Sequence, residues 1–189
     1  YFTWILYGVG IFLTGIAGSV VGRRVLRDYQ LMRLIVFLEP NVDARGAGWN
    51  IIQSVTAVGS GGIAGKGWLQ GTQSHLQYLP QQSTDFIFSI LAEEWGFLGA
   101  VGVFACFAVI VVRGLMISAK AKDNFASLVG VGIVTMVFFH VAVNVGMAIG
   151  IMPITGIPLL YLSYGGSSLW NALVGVGLLM SIYQHRYRY

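Results

Sequence analysis

Between Asp123 and Arg186 the chain carries no Asp, Glu, Lys or Arg, so the uncharged run Asn124–His185 is 62 residues long. One membrane crossing needs about 20 apolar residues, so the run is too long for one helix and too apolar for an ordinary soluble domain. Pro153 and Pro158 divide it, because proline interrupts a helix ladder. The expected spans are 125–150 and 168–184, joined by a re-entrant turn over 151–167. Two more spans are expected upstream. Residues 1–22 are free of charge until Arg23, and residues 84–113 include a charge-free stretch from Trp95 to Val112.

The rest of the composition agrees. Hydrophobic residues make up 56% and charged residues 10% of the 189 residues, against roughly 25% charged in soluble domains. Mean hydropathy is +0.75. Cys106 is the single cysteine, which excludes an internal disulfide. A net charge of +4 without basic residues interleaved with stacking aromatics gives no nucleic-acid footprint. The fold class expected is an all-α polytopic membrane protein with four transmembrane helices and one large loop over 23–83. The chain reads as a piece of a longer protein that begins inside or just before a membrane helix. A short connection over 114–124 and a tail over 185–189 complete the division.

Charge counting leaves the orientation open, since Arg23, Arg24, Arg27 and Arg33 face Arg113, Lys120, Lys122, Arg186 and Arg188 across the membrane. The excess of cations on the long-loop side suits an anionic substrate or headgroup. Within that loop Leu31, Leu34, Ile35 and Leu38 follow the spacing of an amphipathic helix lying on the membrane surface, ended by Pro40.

Val58 to Gly67 holds five glycines and Lys66. It is no phosphate-binding P-loop, because Ser60 and Gly67 stand where that motif needs Gly and Ser or Thr. Gly59-x-Gly61-x-x-Ala64 matches a dinucleotide fingerprint loosely and lacks a βαβ context. Two readings remain: tight turns at positive φ, or backbone lining a polar cavity with Lys66 available to an anion. Asp85, in Ser83-Thr84-Asp85-Phe86, is either a helix cap or a general base at the mouth of a membrane cavity. Glu93 and Glu94 lie within the same helix, where an acid faces protein or water, and one of them pairs with a basic residue or caps. His140 and Asn144 share a helix face and suit a helix-to-helix hydrogen bond. With His75 they give no metal-ligand spacing. Ser167 or Ser168 can cap the last span, whose N-terminus then lies on the same side as Asp85, and two helix N-termini there favour an anion.

Several of these segments together carry a resemblance. Gly46-Ala47-Gly48-Trp49-Asn50-Ile51-Ile52-Gln53-Ser54, Gly59-Ser60-Gly61-Gly62 through Gly65-Lys66-Gly67, Gly71-Thr72-Gln73-Ser74, Leu79-Pro80 through Thr84-Asp85-Phe86-Ile87-Phe88 and Ala92-Glu93-Glu94 resemble the SEDS family, and within it the rod-shape-determining RodA type. Asn144 through Met152-Pro153, Gly156-Ile157-Pro158 and Ser163-Tyr164-Gly165-Gly166-Ser167-Ser168 resemble its C-terminal signature; Leu160 and Tyr161 depart from the aliphatic residues and second proline usual there.

The resemblance implies a peptidoglycan glycosyltransferase of the bacterial cytoplasmic membrane with ten spans. This chain matches the last four and the large extracytoplasmic loop, which places Tyr1 and Tyr189 in the cytoplasm. It implies lipid II as substrate and Asp85 as the base that activates a sugar hydroxyl, with inversion and release of undecaprenyl pyrophosphate. Arg45 and Lys66 would neutralise the pyrophosphate, and Thr84, Gln73, Ser163, Tyr164, Gly165 and Ser167 are the other substrate-binding positions. The implied partners are a class B penicillin-binding protein, the elongation machinery and the lipid bilayer. No cofactor is required, and a divalent cation is compatible. A lipid-linked precursor flippase or transporter is the competing reading, because broken spans with intramembrane acids also suit transport.

Overall fold

The computed structural model describes residues 28–43, 46–71 and 83–185. The expected first span, 1–22, and the tail beyond His185 lie outside them. Within the described residues the chain is helical: α1 (Asp28–Leu38), a 3-10 turn (Pro40–Asp43), α2 (Ala47–Ser60), α3 (Ile87–Ala119), α4 (Asn124–Ala148) and α5 (Gly166–His185). Three of these, α3, α4 and α5, are long and apolar enough to cross a membrane.

Their ends differ from the charge-based boundaries. Helix α3 continues past Arg113 to Ala119, because Gly114 and Ser118 on its last turns are buried against α4. The connection to α4 shrinks to residues 120–123. Straight, α3 would be about 50 Å long, well beyond the roughly 30 Å hydrocarbon core. It is not straight. Gly96, at φ 66° and ψ −161°, breaks it into a short leading segment and a long trailing one. A residue with a side chain rarely adopts that φ.

Among the described residues, helices α3 and α4 make the most extensive interface. At one end Gly114 lies against Val134 and Gly130 against the Ser118 hydroxyl, so the helices approach as small residues permit. At the other end the core gathers Phe88 and Ala92 of α3, Ala148 of α4, and Leu159 and Leu160 of the turn before α5. Phe107 and Tyr161 pack with ring centroids 6.4 Å apart. Outward faces stay apolar, with Leu98, Val109, Phe138 and Met180 all exposed, as helices solvated by lipid or by further helices require. On α1, Leu34, Ile35 and Leu38 are exposed while Val36 is buried.

Helix α2 belongs to this bundle rather than to a detached loop. Ser54 on α2 is fully buried, donates to the Ala148 carbonyl at 2.7 Å and meets the Ser89 hydroxyl at 2.6 Å. The Ser54 proton is committed to the carbonyl, so Ser89 donates to Ser54. One side chain thus ties α2, α3 and α4 together.

Candidate active site

Three consecutive carbonyls lead into α3, two held from the turn before α5 and the third from α4. The Tyr164 N–H donates to the Ser83 carbonyl at 2.9 Å. The Ser163 hydroxyl donates to the Thr84 carbonyl at 2.6 Å and accepts from the Leu159 N–H at 2.8 Å. The Asn144 amide donates to the Asp85 carbonyl at 2.9 Å and to the Ile157 carbonyl at 2.8 Å. One turn further back on α4, His140 Nδ1 lies 2.9 Å from the Pro158 carbonyl. A carbonyl only accepts, so this nitrogen carries the proton. The α4 face expected to reach another helix therefore reaches backbone: Asn144 joins the entry of α3 to the turn before α5, and His140 pins the same turn.

This fixation acts on the Asp85 backbone and not on its carboxylate. The N-cap residue of α3 is Phe86, and no side chain caps the helix, so the capping reading of Asp85 does not hold. The Asp85 side chain is half-buried. Its Oδ2 lies 3.5 Å from the point where Gly156 would carry a Cβ. Gly156 has φ +75°, so glycine both permits that turn and keeps the space beside the carboxylate clear. Among the described residues no side chain or N–H is hydrogen-bonded to this carboxylate.

The glycine-rich stretch does something the sequence did not disclose. The break at Gly96 frees backbone groups that an unbroken helix would pair internally. The loop 61–67 pairs them instead. The Lys66 and Gly67 N–H groups donate to the Glu93 and Glu94 carbonyls, both at 3.0 Å, and the Phe97 and Leu98 N–H groups donate to the Gly62 and Ile63 carbonyls at 2.9 and 3.1 Å. A Cβ on Gly61 would run into the Ala92 carbonyl, one on Gly65 into the Glu94 carbonyl, and one on Gly96 into the Gly65 nitrogen. The tight-turn reading holds for Gly62, Gly65 and Gly67, at φ 58°, 78° and 105°, while Gly61, at φ −71°, is a glycine because a second backbone touches it.

Lys66, expected to be available to an anion, is engaged. Its Nζ lies 2.7 Å from Glu93 Oε1, with the Glu93 side chain fully buried and the Lys66 side chain 28% exposed. Glu93 is thus the acid of the pair that finds a base. Among the other substrate positions, Thr84, Ser163 and Tyr164 gather at Asp85 through the contacts above. Tyr164 is 82% exposed. Ser167 is exposed, and Gly165 accepts from the Ser168 hydroxyl at 2.9 Å. Helix α5 starts at Gly166, so the two serines stand in its first turn rather than before it. Arg45 and Gln73 lie outside the described residues, as does His75. Asn144, Ser163 and Gly156 form the frame of the site: the spacing of His140 and Asn144 hinted at the first, Ser163 stood among the expected substrate positions, and Gly156 stood only within a matched motif.

Tyr161 sits at φ 69° with its hydroxyl donating to the Ala172 carbonyl at 3.3 Å. Burial holds its phenol above the usual tyrosine value, so it stays a donor.

The sequence profile of the "Cell cycle protein" family, which groups FtsW, RodA and SpoVE, matches residues 2–188. The chain belongs to this family. Among its FtsW/RodA/SpoVE relatives, the peptidoglycan glycosyltransferase RodA of Treponema pallidum is 56% identical over 182 residues, covering 96% of this chain and 42% of that protein. The peptidoglycan glycosyltransferase MrdB of Escherichia coli K12 is 44% identical over 184 residues, covering 97% of this chain and 50% of that protein. The chain therefore spans about half the length of the curated relatives it matches. A chain of a solved peptidoglycan synthase complex, described as coordinating polymerisation and crosslinking, superposes with a TM-score of 0.76 at 32% identity, covering 98% of this chain and 51% of that one. The crystal structure of Thermus thermophilus rod shape determining protein RodA gives 0.53 at 27% identity, covering 92% and 62%. The relatives place the chain in the RodA type of the family, and its three apolar helices make it part of a multi-pass membrane protein.

Proposed function

We propose that this chain is the catalytic half of a peptidoglycan glycosyltransferase that polymerises lipid II in the bacterial cytoplasmic membrane, with Asp85 as its general base. One observation carries the reading: Asp85 is fixed by its backbone while its carboxylate is left without a structural partner among the described residues. The names of the relatives support the reaction class.

In the proposed step an Asp85 oxygen takes the proton of the 4-hydroxyl of a GlcNAc unit. The GlcNAc 4-hydroxyl oxygen, freed of its proton, then attacks the anomeric carbon of MurNAc on the other glycan, and the bond from that carbon to the pyrophosphate oxygen breaks. The electron pair leaves with undecaprenyl pyrophosphate and the configuration inverts. A pyrophosphate leaves as an anion, so one base is enough and the other requirement is positive charge. Glu93 already neutralises Lys66, which leaves Arg45 as the cation for the leaving group. Thr84, Ser163, Tyr164, Gly165 and Ser167 are the proposed sugar-binding positions, with Gln73, outside the described residues, as a further one. In this reading the face bearing Asp85 is extracytoplasmic, the connection 120–123 is cytoplasmic, and a class B penicillin-binding protein of the elongation machinery crosslinks the product.

The test is glycan-chain formation from purified lipid II by the full-length protein with its transpeptidase, comparing wild type with Asp85→Asn. The expected result is a loss of polymer of at least about 100-fold in a protein that stays folded and bound to its partner. Undiminished polymer from the variant would remove Asp85 from the chemistry, and absence of polymer from the wild type would return the flippase reading.

A further inference from the structure

The leading segment of α3, from Ile87 to Trp95, carries Asp85 at its front, and the break at Gly96 uncouples it from the long trailing segment. Phe88, Ser89 and Ala92 bury its middle against the core, and its remaining freedom of direction is set by what grips its two ends. The front is gripped by Tyr164, Ser163 and Asn144. The rear is gripped by the glycine loop through the Lys66 and Gly67 N–H groups and through the Lys66–Glu93 ion pair. We propose that Lys66 and Glu93 are positioning residues for the transfer reaction: they strap the rear of this segment and so aim Asp85, and Lys66 does not serve as a substrate anchor. The inference rests on Asp85 being the base.

The geometry makes the strap consequential. Ile87 lies about 9 Å from Glu93 along the helix axis and Asp85 precedes it by two residues, so the lever arm is about 10 Å. A tilt of about 10° at the rear therefore moves the carboxylate by about 2 Å, and misplacement of about 1 Å can cost 100-fold in rate. The choice of an ion pair has a chemical reason as well. Glu93 is fully buried, and a buried carboxylate with its partner removed is heavily penalised, so the pair holds one geometry. Lys66 is already at a position whose N–H is bonded to the Glu93 carbonyl, so the two residues are joined twice, once by backbone and once by side chain. A lysine reserved for a phosphate would not be spent this way.

The test compares Lys66→Met, Glu93→Gln, the double variant and Lys66→Arg in the full-length protein with its partner, reading kcat and KM for purified lipid II and the thermal midpoint. Expected is a fall in kcat of about 10- to 100-fold for either single neutral variant with KM changed by less than about 2-fold. The double variant should be no worse than the poorer single, and Lys66→Arg should retain most activity. A raised KM for Lys66→Met with Glu93→Gln unaffected would overturn the proposal in favour of an anion anchor. A lowered thermal midpoint with unchanged kcat per folded protein would overturn it in favour of a purely structural pair. Glu93→Gln keeps the side-chain shape, so it decides the matter even where Lys66→Met fails to fold. Asp85→Asn in the same assay tests the underlying reading separately, because full activity there would sink the base, and with it the aiming role, whatever the strap variants show.

Discussion

The two ends of the α3–α4 pair are built on opposite plans. At the end near the 120–123 connection, helices meet through side chains: Gly114 under Val134, Gly130 under the Ser118 hydroxyl. Backbone hydrogen bonds there stay inside their own helices, and Ser118 merely bonds back to the Gly114 carbonyl at 2.8 Å. At the Asp85 end the backbone itself is the adhesive. Carbonyls of residues 83, 84, 85, 157 and 158 are each taken by a partner from another element. The break at Gly96 is closed by a second backbone. Packed helices tolerate a small volume change by shifting slightly. A backbone stitched to another backbone has no such slack, because every shift strands a polar group. The rigid plan is used where a carboxylate must be aimed.

That contrast can be broken or sharpened by substitution. The largest effect is expected from Gly96→Leu. It places a bulky residue at positive φ and drives its Cβ into the Gly65 nitrogen, so a cost above about 4 kcal/mol is expected. The readout is loss of a monodisperse, detergent-extracted protein, and a well-folded variant would show that the break is not needed. Next comes Asn144→Leu, which leaves the Asp85 and Ile157 carbonyls without their donor. About 2 kcal/mol of destabilisation is expected, with polymerisation falling about 10- to 100-fold; thermal denaturation beside lipid II turnover separates the two. A full loss of stability with normal turnover of the folded fraction would reverse the assignment of Asn144 to aiming.

Smaller effects belong to the other end. Gly130→Ala presses a methyl onto the Ser118 hydroxyl and is expected to cost about 1–3 kcal/mol, with part recovered in combination with Ser118→Ala. A double-mutant cycle on thermal stability measures that coupling. Ser118→Ala alone should stay within about 0.5 kcal/mol, since the Gly114 carbonyl keeps its helical partner. Neither should alter turnover. A change in activity from either would mean that the two ends are not independent.

Much of the side-chain-packed plan was legible in the sequence, and little of the stitched one. Hydropathy located α3, α4 and α5, because a run without charge has few alternatives. It misjudged the end of α3, since Arg113 marks no boundary when the following turns are buried by Gly114 and Ser118. The glycine stretch announced tight turns but not their partner, because contact between residues 61–67 and 93–98 is a tertiary fact with no periodicity to betray it. The Glu93 partner was foreseen only as some basic residue, and Lys66, 27 positions away, was assigned to an anion. The sequence also offered Asp85 as a cap by residue type. The structure removes that option by starting the helix after Phe86.

The mended break also imposes an order of assembly. The stretch that closes Gly96 lies earlier in the chain than the helix it repairs. A ribosome therefore delivers α2 and the glycine loop first, and α3 is made against a waiting complement. Lipid offers no donors or acceptors to cover the Glu93 and Glu94 carbonyls or the Phe97 and Leu98 amides in the meantime. With the sequence order reversed, α3 would reach the bilayer with an unhealed gap, and its cheapest remedy would be to straighten and swing Asp85 away from the turn that receives it.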